Sequence, residues 1–202
     1  MMVFEEELKN IYRLKVPFED IYTSIFFIRT KRANLLVDTA TFNSDIDEYL
    51  LPALDTLVIK LTDIAYLILT HLHSDHAGGV NRIRELNPKI EIVRGVAEKL
   101  PNGVSGYELK GLTLDLIGVF DEDTGTLITG DGLQGVSVGK YRLSLESKDE
   151  YIKTLAKIQA DARIQNILLS HAYEPWGKDG AFGREQVEQI INDCRIIIGE
   201  RQ

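Results

Sequence analysis

The chain has 202 residues, of which 44% are apolar and 27% charged, enough for a sizeable core; the length suits one domain, or two fused halves sharing a core, and a single domain spanning 1–202 is expected. Its net charge of -8 and the lack of any Lys/Arg cluster argue against nucleic acid, whose recognition needs a basic face. Cys194 is the one cysteine, so no intrachain disulfide can form and a reducing compartment is expected.

In chain order, residues 25–29 and 35–38 are short runs of β-formers around a polar turn at 30–34, which predicts a hairpin. Ser44 is the expected N-cap of a helix reaching to about Lys60, with Asp45 and Asp47 in its first turn and Pro52 able to kink it. Ala65 to Thr70 is a continuous apolar run that suits a strand buried on both faces. Gly78-Gly79 opens a helix through Leu86, ended by Asn87-Pro88, and 90–93 is a further strand.

From Tyr107 the pattern is β-rich, with Leu112, Leu114 and Leu116 alternating toward Ile117. A turn at 121–125 precedes a strand at 126–129 that ends at Gly130-Asp131-Gly132. A helix over 148–160, a strand over 167–169 ending at Ser170-His171, and a helix from Arg184 to about Ile198 complete the chain. Cys194 among the isoleucines of that last helix is read as a small buried residue. No basic region followed by an apolar run, and no stretch of about 18 apolar residues, is visible. Neither a signal peptide nor a membrane span is therefore expected, and the expected location is cytoplasmic. Strands flanked by helices in each half imply an α/β (α+β) layered fold.

Three of the four histidines fall within the run His71-Leu72-His73-Ser74-Asp75-His76. Imidazole and carboxylate are the ligands that zinc prefers. His71 and His73 are two apart, so extended backbone points both rings to one side. Asp75 and His76 follow where the chain turns toward a helix, which can aim them at a second point. Such a pattern suits a pair of metals better than one.

The run resembles the ligand motif of the metallo-β-lactamase superfamily of hydrolases, which implies a four-layer αββα sandwich. Later segments are similar in the same order. Leu36-Val37-Asp38-Thr39 resembles the early strand and turn that support the site, with Asp38 orienting a ligand. Thr126 to Asp131 resembles the strand that ends in a bridging aspartate, and Leu168 to His171 resembles the last strand with its histidine ligand. The resemblance implies a first metal on His71 and His73, a second on Asp75, His76 and His171, and Asp131 between them. It implies two zinc ions, with iron or manganese as substitutes.

The family's Gly-His-Thr loop has no counterpart, because Leu112 to Ile117 passes straight into Gly118-Val119-Phe120. A segment missing from the sequence between Ile117 and Gly118 would explain this. The alternatives are a true deletion that weakens the first metal site and a degenerate relative without activity.

The expected activity is hydrolysis of a small ester, lactone or thioester by a metal-activated water, with Asp75 steering protons. Tyr141 and Tyr173 are second candidates, each able to donate a phenolic hydrogen bond to substrate, and Trp176 with Pro175 could wall the site. The competing classes are an iron-dependent oxidoreductase of the same fold and a non-catalytic binding module. Expected partners are a small-molecule substrate and, at most, a second copy of the chain as a homodimer; neither nucleic acid nor a membrane is expected.

Overall fold

A computed structural model describes residues 2–96, 100–101, 103–135, 139, 144–172 and 177–199. The chain forms two compact units, one running to Arg94 and the other essentially from Gly103.

The first unit is a six-stranded sheet in the order β1-β2-β3-β4-β5-β6. Its strands are β1 (Glu5–Leu8), β2 (Ile11–Phe18), β3 (Ile21–Arg29), β4 (Asn34–Val37), β5 (Ile64–Ile68) and β6 (Glu91–Val93). The expected hairpin is β3–β4, paired antiparallel from Phe26↔Val37 to Arg29↔Asn34. β1 and β2 carried no clear strand signal, because acidic residues fill β1 and Arg13 and Lys15 interrupt the apolar run of β2. Arg13 is nonetheless buried, with Nε 2.8 Å from Glu7 and the guanidinium 5.0 Å from the Phe26 ring centroid, so its charge is paired and stacked.

Between β4 and β5 the chain is helical from Asn43 to Thr56, as α1 (Asn43–Asp45), a π-helical stretch (Ile46–Leu50) and α2 (Leu51–Thr56). The expected N-cap, Ser44, lies inside this helix. The N-cap is Phe42, which has no side-chain cap, and the Asp45 carboxylate in the first turn reaches back to accept from the amides of Thr41 (3.0 Å) and Phe42 (2.8 Å). Pro52 has no amide proton, and the wider helical turn falls just before it, where the ladder must give. α3 (Ser74–Ala77) and α4 (Val80–Leu86) join β5 to β6. The core packs Leu14, Val16, Ile25, Phe27 and Leu36 of the sheet with Ile46, Leu50, Leu54 and Ile83 of the helices.

The second unit is a five-stranded sheet in the order β11-β10-β9-β8-β7. Its strands are β7 (Val104–Glu108), β8 (Ile117–Asp121), β9 (Thr126–Ile128), β10 (Asn166–Leu168) and β11 (Gly180–Phe182), with α5 (Lys148–Ala160) and α6 (Arg184–Ile197). α5 supplies the crossover that the parallel pair β9–β10 requires. Its N-cap is Ser147, and Tyr151, Leu155 and Ile158 enter a core with Val187, Ile190, Ile191 and Cys194 of α6.

The alternating leucines at 112–116 do not form a strand. Gly111, at φ +102°, turns the chain, and its carbonyl accepts from the amides of Glu146 and Ser147. Leu112 and Leu116 are buried while Leu114 is 95% exposed. β8 then runs unbroken through Ile117 and Gly118, paired with Glu108 and Tyr107, so the ladder closes without an inserted loop. Among the described residues no helix is long and apolar enough to cross a membrane.

Candidate metal centre

In the first unit β4 and β5 are parallel neighbours, with Val37 opposite Ile68. Their C-terminal ends therefore deliver Asp38 and Thr70-His71 to the same edge of the sheet, where open α/β sheets place their sites. Asp38 is buried and sits at φ +62°, a left-handed conformation that costs free energy for a residue with a side chain. The conformation aims its carboxylate across the loop. One oxygen accepts from the Thr70 amide at 2.8 Å, and the other lies 2.8 Å from both Thr70 Oγ1 and His76 Nδ1.

The loop after Asp38 also clasps the turn that carries the ligands. Thr39 donates to the His76 carbonyl from its amide (2.7 Å) and its hydroxyl (3.0 Å). The Gly78 amide donates to the Ala40 carbonyl, and the Gly79 amide to Thr39 Oγ1. Thr23 of β3 donates to the Asp75 carbonyl at 2.9 Å. This closeness explains Gly78-Gly79: a Cβ on Gly78 would lie 1.7 Å from the Thr41 carbonyl oxygen, and one on Gly79 would lie 2.6 Å from Ile46.

The result brings His71, His73, Asp75 and His76 together. The ring centroid of His71 is 4.5 Å from that of His73 and 4.1 Å from that of His76. Ligand atoms of His71 and His73 lie within 4.8 Å of each other, as do those of Asp75 and His76. His76 Nε2 is 3.3 Å from Asp75 Oδ2, and both side chains are buried.

The second unit arrives at a similar pair by register alone. Ile128 of β9 is opposite Leu168 of β10, and Asp131 and His171 each follow three residues later. The turn at Gly130, φ +56°, and the Ser170 amide donating to the Gly130 carbonyl keep the two chains level. His171 Nε2 is 3.2 Å from Asp131 Oδ1, again with both side chains buried.

These donor sets fit a divalent cation. In its neutral form His76 donates from Nδ1 to the Asp38 carboxylate at 2.8 Å and turns the Nε2 lone pair toward the anionic oxygen of Asp75. Two such atoms tolerate each other when a cation lies between them. The separations of 3.3 and 3.2 Å match the edge of a tetrahedron with zinc–ligand bonds of about 2.0–2.2 Å, which is roughly 3.3 Å.

The expected ligands thus form two clusters, one in each unit. Tyr141, Tyr173, Pro175 and Trp176 lie outside the described residues. Sequence reasoning passed over Thr70 and Thr23, and placed Thr39 in the supporting turn without giving its side chain a role. The signal for Thr70 was a hydroxyl at the end of a fully apolar run, next to a histidine.

Residues 19–108 match the sequence profile of the metallo-β-lactamase superfamily. A Caenorhabditis elegans "Beta-lactamase-like protein 2 homolog" is 25% identical, over 71% of this chain and 54% of that protein. A Vibrio campbellii "Hydroxyacylglutathione hydrolase" is 26% identical, over 60% of this chain and 53% of that protein. The chain therefore spans about half the length of these curated relatives. Among solved structures, the mono-zinc form of the metallo-β-lactamase FIM-1 from Pseudomonas aeruginosa is similar at a TM-score of 0.72 and 18% identity, over 96% of this chain and 95% of that one. A metallo-β-lactamase from Pontibacter korlensis gives 0.74 and 13%, over 96% and 99%. The fold class expected from the residues is the one these structures share.

Proposed function

We propose that the protein is a metal-dependent hydrolase of a small ester, lactone or thioester, because residues 19–108 match the metallo-β-lactamase superfamily profile and the chain has the fold of solved metallo-β-lactamases. The observation that carries this reading is the pair of buried imidazole–carboxylate contacts, His76–Asp75 at 3.3 Å and His171–Asp131 at 3.2 Å. Buried charged groups persist where they are paired or hold a metal, and buried clusters of this chemistry concentrate at catalytic sites. The thioester option draws on the relative named hydroxyacylglutathione hydrolase.

We assign His71, His73, Asp75, His76, Asp131 and His171 as the metal ligands, with two zinc ions as the first choice and iron or manganese as substitutes. When bound, the metal lowers the pKa of a coordinated water to about 7 and polarises the substrate oxygen. The chain's own residues do the rest. Asp38 holds His76 in place, and the Thr39 and Thr23 bonds fix the backbone of Asp75 and His76. Asp75 receives and returns the proton of the attacking water. Tyr141 and Tyr173 are second candidates, able by their chemistry to donate a phenolic hydrogen bond to a substrate oxygen; if they do, Tyr→Phe at each should lower kcat and leave metal content unchanged.

No fifth histidine exists in the chain, so the site built on His71 and His73 has fewer protein ligands than the one built on Asp75, His76 and His171. Two unequal metal affinities are therefore expected in a chelator competition. A cytoplasmic location is proposed with this reading, as the sequence suggests.

The test is metal quantification on purified protein, followed by a screen of lactones, thioesters and phosphodiesters with that metal added. The reading predicts zinc and turnover, both lost in Asp131→Ala. Stoichiometric iron with oxygen uptake would instead make the protein an oxidoreductase. Absence of metal, with no turnover after added zinc or manganese, would make it a binding module.

A further inference from the structure

We propose that Thr70 is a positioning residue that fixes which nitrogen of His71 carries the proton, relaying to His71 the same carboxylate that orients His76. The consequence for metal binding rests on the reading above; the relay itself does not.

The argument follows from who can donate. Asp38 is a carboxylate with no proton to give, so the Thr70 hydroxyl, 2.8 Å from Asp38 Oδ2, donates to it. That uses the only proton Thr70 Oγ1 has. The same oxygen lies 3.1 Å from His71 Nδ1, and there it can only accept. Nδ1 of His71 must then carry a proton, so in the neutral ring Nε2 is the basic nitrogen. His76 obeys the same rule directly, with Nδ1 at 2.8 Å from Asp38 Oδ2. One carboxylate thus sets both rings as Nδ1–H tautomers, and the partner of the non-ligating nitrogen is what decides a ligand's tautomer.

All four groups are buried, with Asp38, Thr70 and His76 at 0% and His71 at 1% exposure. Water does not compete for these bonds, and a reversed hydroxyl would leave Asp38 facing a lone pair. The Thr70 amide, bonded to the other Asp38 oxygen at 2.8 Å, anchors the backbone whatever the side chain. Thr70→Val therefore removes the relay with almost no change of shape, and Thr70→Ser restores it.

The test is a two-bond proton–nitrogen correlation spectrum of metal-free full-length protein, at a pH where the rings are neutral. Wild type should show His71 and His76 both with protonated Nδ1. In Thr70→Val the His71 pattern should change to the Nε2–H or a mixed form while His76 keeps its own, and Thr70→Ser should read as wild type. Zinc affinity measured by chelator competition should fall about 10- to 100-fold in Thr70→Val and recover in Thr70→Ser. An Nε2–H signal for His71 in wild type, or an unchanged His71 spectrum in Thr70→Val, overturns the proposal. Because the wild-type spectrum is decisive alone, a Thr70→Val protein that fails to fold does not protect the idea. A correct tautomer with no zinc binding would leave the relay standing and remove the metal reading instead.

Discussion

At the scale of single residues, the site depends on small groups more than on the ligands themselves. Gly78 has a carbonyl oxygen where any side chain would begin. Gly78→Ala should force the loop at 39–41 away from α3 and cost at least about 1–3 kcal/mol, the usual range for overpacking, read as a lower urea midpoint. Asp38→Ala should act differently. It leaves the Thr70 amide, the Thr70 hydroxyl and His76 Nδ1 without their acceptor. Unmet buried donors cost about 1–3 kcal/mol each, and loss of such a support typically lowers metal affinity about 10- to 100-fold. Unfolding curves and chelator competition should therefore both shift, whereas a role in packing alone would move only the first.

At the scale of elements, three connections carry the candidate ligands: β5–α3, β9–α5 and β10–β11. β4 and β5 bring Asp38 and Thr70 to one edge, α3 turns Asp75 and His76 back onto that edge, and the parallel register of β9 with β10 sets Asp131 beside His171. α5 is the crossover that makes the last pairing possible. Ser147 accepts from the Glu150 amide at its start, and Thr154 exchanges hydrogen bonds with the backbone of Lys110 at 2.9 Å each way. Ser147→Ala should cost about 1 kcal/mol, measured by denaturant unfolding, without altering metal content.

At the scale of the whole molecule, pH acts through groups buried in the second unit. Burial raises the Cys194 thiol from an ordinary 9.0 to about 12, and burial with the charge of Asp161 raises the Tyr107 phenol from 10.0 to about 12. Each group keeps its proton longer in the folded chain than in the unfolded one. Their contribution to stability is thus fully present below about pH 9 and is lost as the pH rises to about 12. The melting temperature should fall across that window in buffers of constant ionic strength, and Tyr107→Phe should make the fall shallower. Metal removal adds a second dependence. If the metal reading holds, free zinc at a hundred times its Kd should stabilise the protein by about 2.7 kcal/mol, an increment that chelator abolishes.

Much of this was legible in the chain itself. A buried apolar run followed by His71-Leu72-His73-Ser74-Asp75-His76, and two later strands ending in Asp131 and His171, announced both the strands and the donors, because strand burial and ligand chemistry are written in residue type and short spacing. The hairpin at β3–β4 and the helix at 148–160 were equally plain. What the chain did not announce were β1, β2 and β11, and the turn that replaces a strand at 112–116. There, charged residues find partners across neighbouring strands, as Arg13 does with Glu7 and Phe26, and Gly111 is turned by contacts with the start of α5. Only the tertiary structure decided that Asp38, thirty-two residues before Thr70, would reach both that hydroxyl and His76. Parallel pairing makes distant segments neighbours, and local sequence carries no record of which neighbour that will be.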